Sequence, residues 1–340
     1  MTTTTRITTG IAAIAVAAAA LLTAPARAGA PAARHVVFYG FSILGEPMQK
    51  GIFPAFQQYW QQKTGERVEF TGSFSGSGTV TNQIAMGAPA QVALLSLELD
   101  AERLAASGAT AAGSWRKLPH EGIVNRTPFV ILVRPGNPKK ILDFEDLARP
   151  GIKIVHPDPQ TSGGANWAIL AEYGAGQRAH PADPQAGFRL LQGLWKNVVA
   201  QAASARAART QFENGYGDAL VTYEQEAILD RSRGTLKLDV VYPRRTVMSE
   251  HTLVLVDRNL RGPDRALADA LAAYLWSDAA QRIFVKFGFR SVDERLNAEN
   301  PAFGKIAEPF FVRDFGGWKK AKAEIVDAVW RDRVLKGIRR

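Results

Sequence analysis

The chain contains no cysteine, which excludes disulfide frameworks, thiolate metal sites, cysteine nucleophiles and lipid-anchored cysteines. Histidine is scarce, with five in 340 residues and no H-E-x-x-H or comparable cluster, so no zinc-hydrolase ligand set is visible. His156-Pro157-Asp158 comes nearest to one, but a single histidine at a strand end is more often structural. Beyond the N-terminus no apolar run approaches the roughly 20 residues of a membrane span. The basic residues are many but scattered: the formal net charge is +10, with no arginine-rich run or basic helix. That argues against a nucleic-acid partner and leaves a weak long-range attraction for anions. One local absence stands out. No Lys or Arg lies between Lys153 and Arg178, and that interval holds the stretch PDPQTSGGANW, Pro157 to Trp167.

The first segment is legible as an export signal. Arg6 lies in a short n-region, an apolar run spans Ile11 to Leu22, and Ala26-Arg27-Ala28 has the A-x-A form of a cleavage site. Residues 1–28 are therefore expected to be removed near Ala28, giving an exported, soluble, periplasmic protein of two ordinary domains' length.

The mature chain alternates strand and helix. His35–Phe41 reads as a buried strand, Met48–Lys63 as a helix, and Arg67–Phe70 as a strand ending in the small-residue run TGSFSGSGT. A helix follows from Val80 to Met86, then a strand from Gln91 to Leu97. Two long apolar strands, Thr127–Pro138 and Glu250–Asp257, bracket a second α/β pattern. That pattern comprises strand Ile152–His156, helices Asn166–Tyr173 and Pro184–Trp195, a turn near Ser204, helix Arg209–Asn214, strand Ala219–Tyr223 and helix Glu224–Asp230. Amphipathic helices Pro263–Trp276 and Asp278–Phe287 follow, and the charged end, Lys319 to Arg340, reads as a solvated helix. The expected fold is α/β: two Rossmann-like lobes with mixed sheets, joined by two hinge strands near 127–134 and 250–257. Lobe 1 comprises 34–126 and 252–340, and lobe 2 comprises 127–251.

Catalytic patterns fail on inspection. Gly76-Ser77-Gly78 is preceded by Ser75 where a nucleophile elbow needs glycine, and no Lys precedes Thr79 as a P-loop requires. Glu224 and Glu226 are read as acidic residues favourable to a helix N-terminus. What remains is a pair of strand-to-helix turns rich in small neutral donors, one around Ser77 and one at Ser162-Gly163-Gly164. Free N–H groups at a helix start, unobstructed by Cβ atoms, bind an anion closely. Either turn alone is better read as simple N-capping by serine; two of them, one per lobe, favour a ligand cleft.

At this point several segments resemble the periplasmic sulfate/thiosulfate-binding proteins. They are FVILVRPGNPKKILDFEDLARPGIKIVHPDPQTSGGANWAILAEYG, GYGDALVTYEQEAIL (Gly215 to Leu229), the Gly-Ser-Gly turn and Phe315-Gly316-Gly317-Trp318. The resemblance covers essentially the whole mature chain. It implies a type II periplasmic binding fold that serves an ABC importer and holds a dehydrated oxyanion with neutral donors. It further implies ligand contacts from Ser77, Ser162, Gly163, Gly164, Ala205 and Tyr223, with no catalytic residue, metal or cofactor. A monomer is expected, with a membrane permease as partner. Three departures are plain. Tyr223 stands where the family usually has Trp. The loop Tyr39–Gly45 replaces a shorter Tyr-Asp-Pro turn, with Ser42 as the substitute donor. Arg209 lies near a turn that is otherwise uncharged. Sulfate or thiosulfate is the expected ligand; phosphate, molybdate or a sulfonate remains open, as does a secreted ester hydrolase built on His156.

Overall fold

The computed structural model describes residues 1–2, 33–232, 234 and 237–338. Apart from its first two residues, the expected signal segment 1–28, with its cleavage point, lies outside them. From Ala33 onward the chain packs as one unit around a sheet of eleven strands among the described residues. These are β1 Arg34–Phe41, β2 Val68–Ser75, β3 Val92–Leu95, β4 Ile123–Val133, β5 Ile154–Pro157, β6 Val198–Ala202, β7 Ala219–Tyr223, β8 Asp239–Val241, β9 Arg245–Leu255, β10 Arg290–Ser291 and β11 Glu308–Phe310.

The main path runs β2-β1-β3-β9-β4-β7-β5-β6. Two parallel groups, β2-β1-β3 and β7-β5-β6, are joined through β9 and β4, which run antiparallel to each other and to the adjoining β3 and β7. Parallel strands are covered on both faces, so they read as continuous apolar runs. Val92–Leu95 and Ala219–Tyr223 are buried at every position. The two long strands are present as expected, but both begin earlier than the apolar pattern suggests. β4 starts at Ile123 because β10 pairs with Asn125 and Arg126. β9 starts at Arg245 because β11 pairs with Arg245 to Val247. β2 continues through the small-residue run to Ser75, since β1 offers a partner at every position from Arg34 to Phe41.

The helix Gly163–Ala179 is central. Thirteen of its seventeen residues are buried, and such a helix carries small and apolar residues all round. The C-terminal segment differs from expectation. It is helical from Trp318, π-helical over Lys322–Leu335, and helical again to Ile338. It is not merely a solvated helix, because Trp318, Ala321, Ile325, Val326, Trp330 and Val334 are buried. This face packs on Gly163–Ala179 and Ala186–Trp195. Trp330 meets Trp195 edge-on at 5.0 Å and Trp318 meets Trp167 at 4.4 Å.

Glu224 and Glu226 also depart from expectation, since both are fully buried. Arg290 grips Glu224 with two bonds of 2.8 Å, and the Gly304 N–H adds a third of 2.9 Å. Glu226 is paired with Arg206 and Arg209. They are nodes of buried ion pairs rather than surface partners of a helix dipole.

Where β4 and β9 face each other the contact is polar and buried. His251 Nδ1 lies 2.6 Å from Asn125 Oδ1, and Ser249 Oγ donates to Thr127 O at 2.6 Å. Phe41, Tyr223 and Phe289 surround the imidazole. Burial holds the His251 pKa down to about 3, against about 6.5 in the unfolded chain. Below that value the unfolded chain takes a proton that the folded chain refuses. This contribution to stability is complete above about pH 6.5 and is lost as the pH falls towards about 3, by up to about 1.4 kcal/mol per pH unit. Urea melts between about pH 4 and 6 are therefore expected to show a slope about one proton steeper for the wild type than for His251→Gln. Equal slopes would show that the ring protonates within the fold.

Candidate functional site

Helices begin at the carboxyl ends of the parallel strands, the region where open α/β sheets bind ligands. After β2 comes Gly76 and the helix Ser77–Ala85; after β5, Ser162 and the helix Gly163–Ala179; after β6, Ser204 and the helix Ala205–Glu213. Ser162 and Ser204 are N-caps, accepting from the Ala165 and Ala207 N–H groups at 3.4 and 3.1 Å. The first N–H groups of a helix have no intrahelical acceptor and carry the positive end of its dipole. Gly163, Gly164 and Ala205 occupy these positions, and all three are buried.

The three helix starts converge. Gly78 N–H donates to Thr161 O at 3.1 Å, and Thr161 Oγ1 donates to Ala203 O at 2.9 Å. A Cβ on Gly76 would run into the Thr161 carbonyl oxygen and come within 2.7 Å of the Ala203 carbonyl oxygen. Glycine is required at 76 for this approach; its φ of −56° is open to any residue. A Cβ on Gly163 would come within 2.7 Å of the Ser96 side chain and 3.0 Å of Ser77 Cβ, and one on Gly164 within 3.0 Å of the Tyr223 hydroxyl. Ser77, Ser162, Gly163, Gly164 and Tyr223 are thus gathered around one point. Ala205 heads the adjoining helix. Ser42 opens the 3₁₀ turn Ser42–Leu44, half-buried, and that turn packs on the helix Ala205–Glu213.

Residues not singled out in the sequence complete the cluster. Ser77 Oγ donates to Asp100 Oδ2 at 2.6 Å and accepts from the Ser96 N–H at 2.9 Å. Ser96 Oγ and the Tyr223 hydroxyl are 2.8 Å apart, and the Trp167 indole donates to Ser96 O at 2.7 Å. Burial raises the pKa of Asp100, opposed by its bonds from Ser77 and Arg103. Burial likewise pushes the Tyr223 phenol well above its usual range, so it keeps its proton. Ser77 must turn from Asp100 to serve an anion. A cavity of about 440 Å³ lies alongside, bordered by Asp100, Arg103, Thr161, Ser162, Asn166 and Trp330 among others.

Arg209 is tied away from this point. Its guanidinium bonds Glu226 Oε2 at 2.9 Å and Glu213 Oε1 at 2.9–3.0 Å, and it also reaches Asp230. His156 lies in a separate buried group: Nε2 is 3.2 Å from Glu172 Oε1, and the Trp195 ring lies tilted against it at 4.6 Å while donating to Glu172. It gives the ester-hydrolase reading no support. Among the described residues no group of three or more His, Asp or Glu is placed to hold a metal ion, and no helix is long and apolar enough to cross a membrane.

A mixed α/β fold with helix starts converging over its parallel strands is that of the periplasmic solute-binding proteins. Residues 47–290 match the profile of the bacterial extracellular solute-binding proteins, and the chain belongs to that family, on its sulfate/thiosulfate-binding side. A sulfate-binding protein of Synechococcus elongatus is 34% identical over 84% of this chain and 83% of its own. A thiosulfate-binding protein of Pseudomonas aeruginosa is 30% identical over 88% and 91%. The solved structure of the sulfate-binding protein SubI of Mycobacterium tuberculosis superposes with a TM-score of 0.79 at 30% identity, covering 86% of this chain and all of that one.

Proposed function

We propose that this chain is an exported, monomeric receptor, cleaved near Ala28, that encloses sulfate or thiosulfate and delivers it to an ABC permease in the membrane. The observation that carries this reading is the convergence of three helix N-termini, with their small neutral donors, beside Ser77 and Tyr223. Neutral donors and helix dipoles hold an anion without the desolvation cost of a buried counter-cation. Support also comes from the ligands for which the relatives are named. The two lobes are 34–126 with 252–340, and 127–251, bending about β4 and β9. The C-terminal helix bridges them, since it packs on Gly163–Ala179. Closure brings the Ser77 turn onto the Ser162–Gly164 turn, with Ala205, Tyr223 and, from the 40–45 loop, Ser42 as the remaining donors.

The test is thermal unfolding of the mature protein against sulfate, thiosulfate, phosphate, molybdate and alkylsulfonates. Sulfate or thiosulfate at about 100 times its Kd is expected to add about 2.7 kcal/mol, a shift of several degrees. The double variant Ser162→Ala, Gly163→Pro is expected to lose that shift. No shift with any anion would overturn the reading, and an undiminished shift in the variant would remove the turn from the site.

A further inference from the structure

The donors gathered at the helix starts differ in one respect that bears on which oxyanion they accept. The N–H groups of Gly163, Gly164 and Ala205 only donate. Ser77 Oγ already accepts from the Ser96 N–H at 2.9 Å, and Ser162 Oγ from the Ala165 N–H at 3.4 Å. An anion that still carries a proton brings a donor of its own. Set against these N–H groups alone, that O–H would have no acceptor, which is a costly state; Ser77 and Ser162 each keep one further lone pair, and Asp100 is engaged by Ser77 and Arg103.

Ser96 and Tyr223 change this balance. Their oxygens are 2.8 Å apart and either can donate to the other. Ser96 is fully buried and Tyr223 is 1% exposed. Each hydroxyl has one proton and two lone pairs. One proton lies between the two oxygens, which leaves the other proton and spare lone pairs to face a ligand. If Ser96 donates, the phenol proton is free for an anion oxygen. If Tyr223 donates, the Ser96 proton is free and the phenol oxygen can accept. Both side chains lie close to two of the residues that carry these N–H groups. A Cβ at Gly163 would come within 2.7 Å of the Ser96 side chain, and one at Gly164 within 3.0 Å of the Tyr223 hydroxyl. The Trp167 indole fixes the Ser96 carbonyl from behind at 2.7 Å, so the serine is held in this position.

We propose that Ser96, acting with Tyr223, is a specificity-determining residue that lets the site take tetrahedral oxyanions still bearing a proton, such as hydrogen phosphate, besides fully ionised ones. This rests on the oxyanion-receptor reading above and extends its ligand class. The pair acts as a reversible donor-acceptor, matched to an anion with one O–H and three bare oxygens.

The experiment compares three dianions by calorimetric titration in mildly alkaline buffer: sulfate, hydrogen phosphate and fluorophosphate. Hydrogen phosphate and fluorophosphate match in shape and charge, but fluorine replaces the O–H donor. Wild-type protein is expected to bind hydrogen phosphate at least tenfold more tightly than fluorophosphate. In Ser96→Ala and Tyr223→Phe that preference is expected to fall below threefold, with melting curves showing that both variants fold. Equal affinities for the two phosphates in the wild type would overturn the inference, as would binding of sulfate with neither phosphate bound. An undiminished preference in both variants would overturn it as well. Silence with all three anions, and with thiosulfate as well, would instead overturn the receptor reading on which it rests.

Discussion

Gly76→Ala is expected to weaken oxyanion binding by a hundredfold or more, about 2.7 kcal/mol, while leaving the ligand-free melt close to that of the wild type. The backbone at Gly76 has φ −56° and ψ 137°, which alanine adopts without strain, and the loss of unfolded-state freedom even favours the variant slightly. The effect arises elsewhere. The added methyl meets two carbonyl oxygens, of Thr161 and Ala203, and both are main-chain atoms that cannot swing aside. In the two-lobed reading, residue 76 belongs to one lobe and both carbonyls to the other, so the methyl obstructs closure and not folding. Isothermal titration should show the loss of affinity. Small-angle scattering should show that ligand no longer compacts the variant. Wild-type affinity in Gly76→Ala would mean that this approach is not part of the bound state.

The second large effect concerns stability. Arg209→Met is expected to cost about 3–5 kcal/mol in urea unfolding, the usual result of removing one partner from a buried charge cluster. Glu226 is fully buried and the Asp230 side chain is 5% exposed. Without Arg209 the two carboxylates share a low-dielectric site, and Arg206 stays bonded to Glu226 at 2.9 Å. The same variant should shift the Kd for the anion by less than threefold, because the guanidinium is committed to Glu213, Glu226 and Asp230. A loss of binding much larger than that would place Arg209 at the ligand. A loss of stability below about 1 kcal/mol would mean that the cluster is screened by water like a surface pair.

These two sites show how far the sequence can be read. The parallel strands were legible because burial on both faces makes them continuous apolar runs, and Ala219–Tyr223 falls where the pattern puts it. β6, Val198–Ala202, has no counterpart in the sequence reading, because VVAQA has neither a continuous apolar run nor a clear alternation. The helices expected from Asn166 and Arg209 in fact begin at Gly163 and Ala205. Glycine and serine look like turn residues, and their role as first-turn donors comes from the cap. Ser77 and the Ser162–Gly164 turn were visible as motifs, whereas Ser96 and Asp100 were not. Ser96 acquires its role from Tyr223, 127 positions away in sequence, and Asp100 from Ser77. The burial of Glu224, Glu226 and the C-terminal tryptophans is likewise set by distant partners. Local pattern reports which residues can be buried, and only the assembled fold decides which charges are buried with them.

The position of β9 has a consequence for how the chain folds. It lies between β3 and β4 in the sheet, yet begins at Arg245, long after β3 ends at Leu95 and β4 at Val133. A chain emerging N-terminus first therefore exposes two unpaired strand edges until nearly three-quarters of it has been made. Both parallel groups wait for the same strand, and its arrival closes them together. Such late, long-range pairing makes folding slow and leaves those edges open to mispairing until Leu255 is in place.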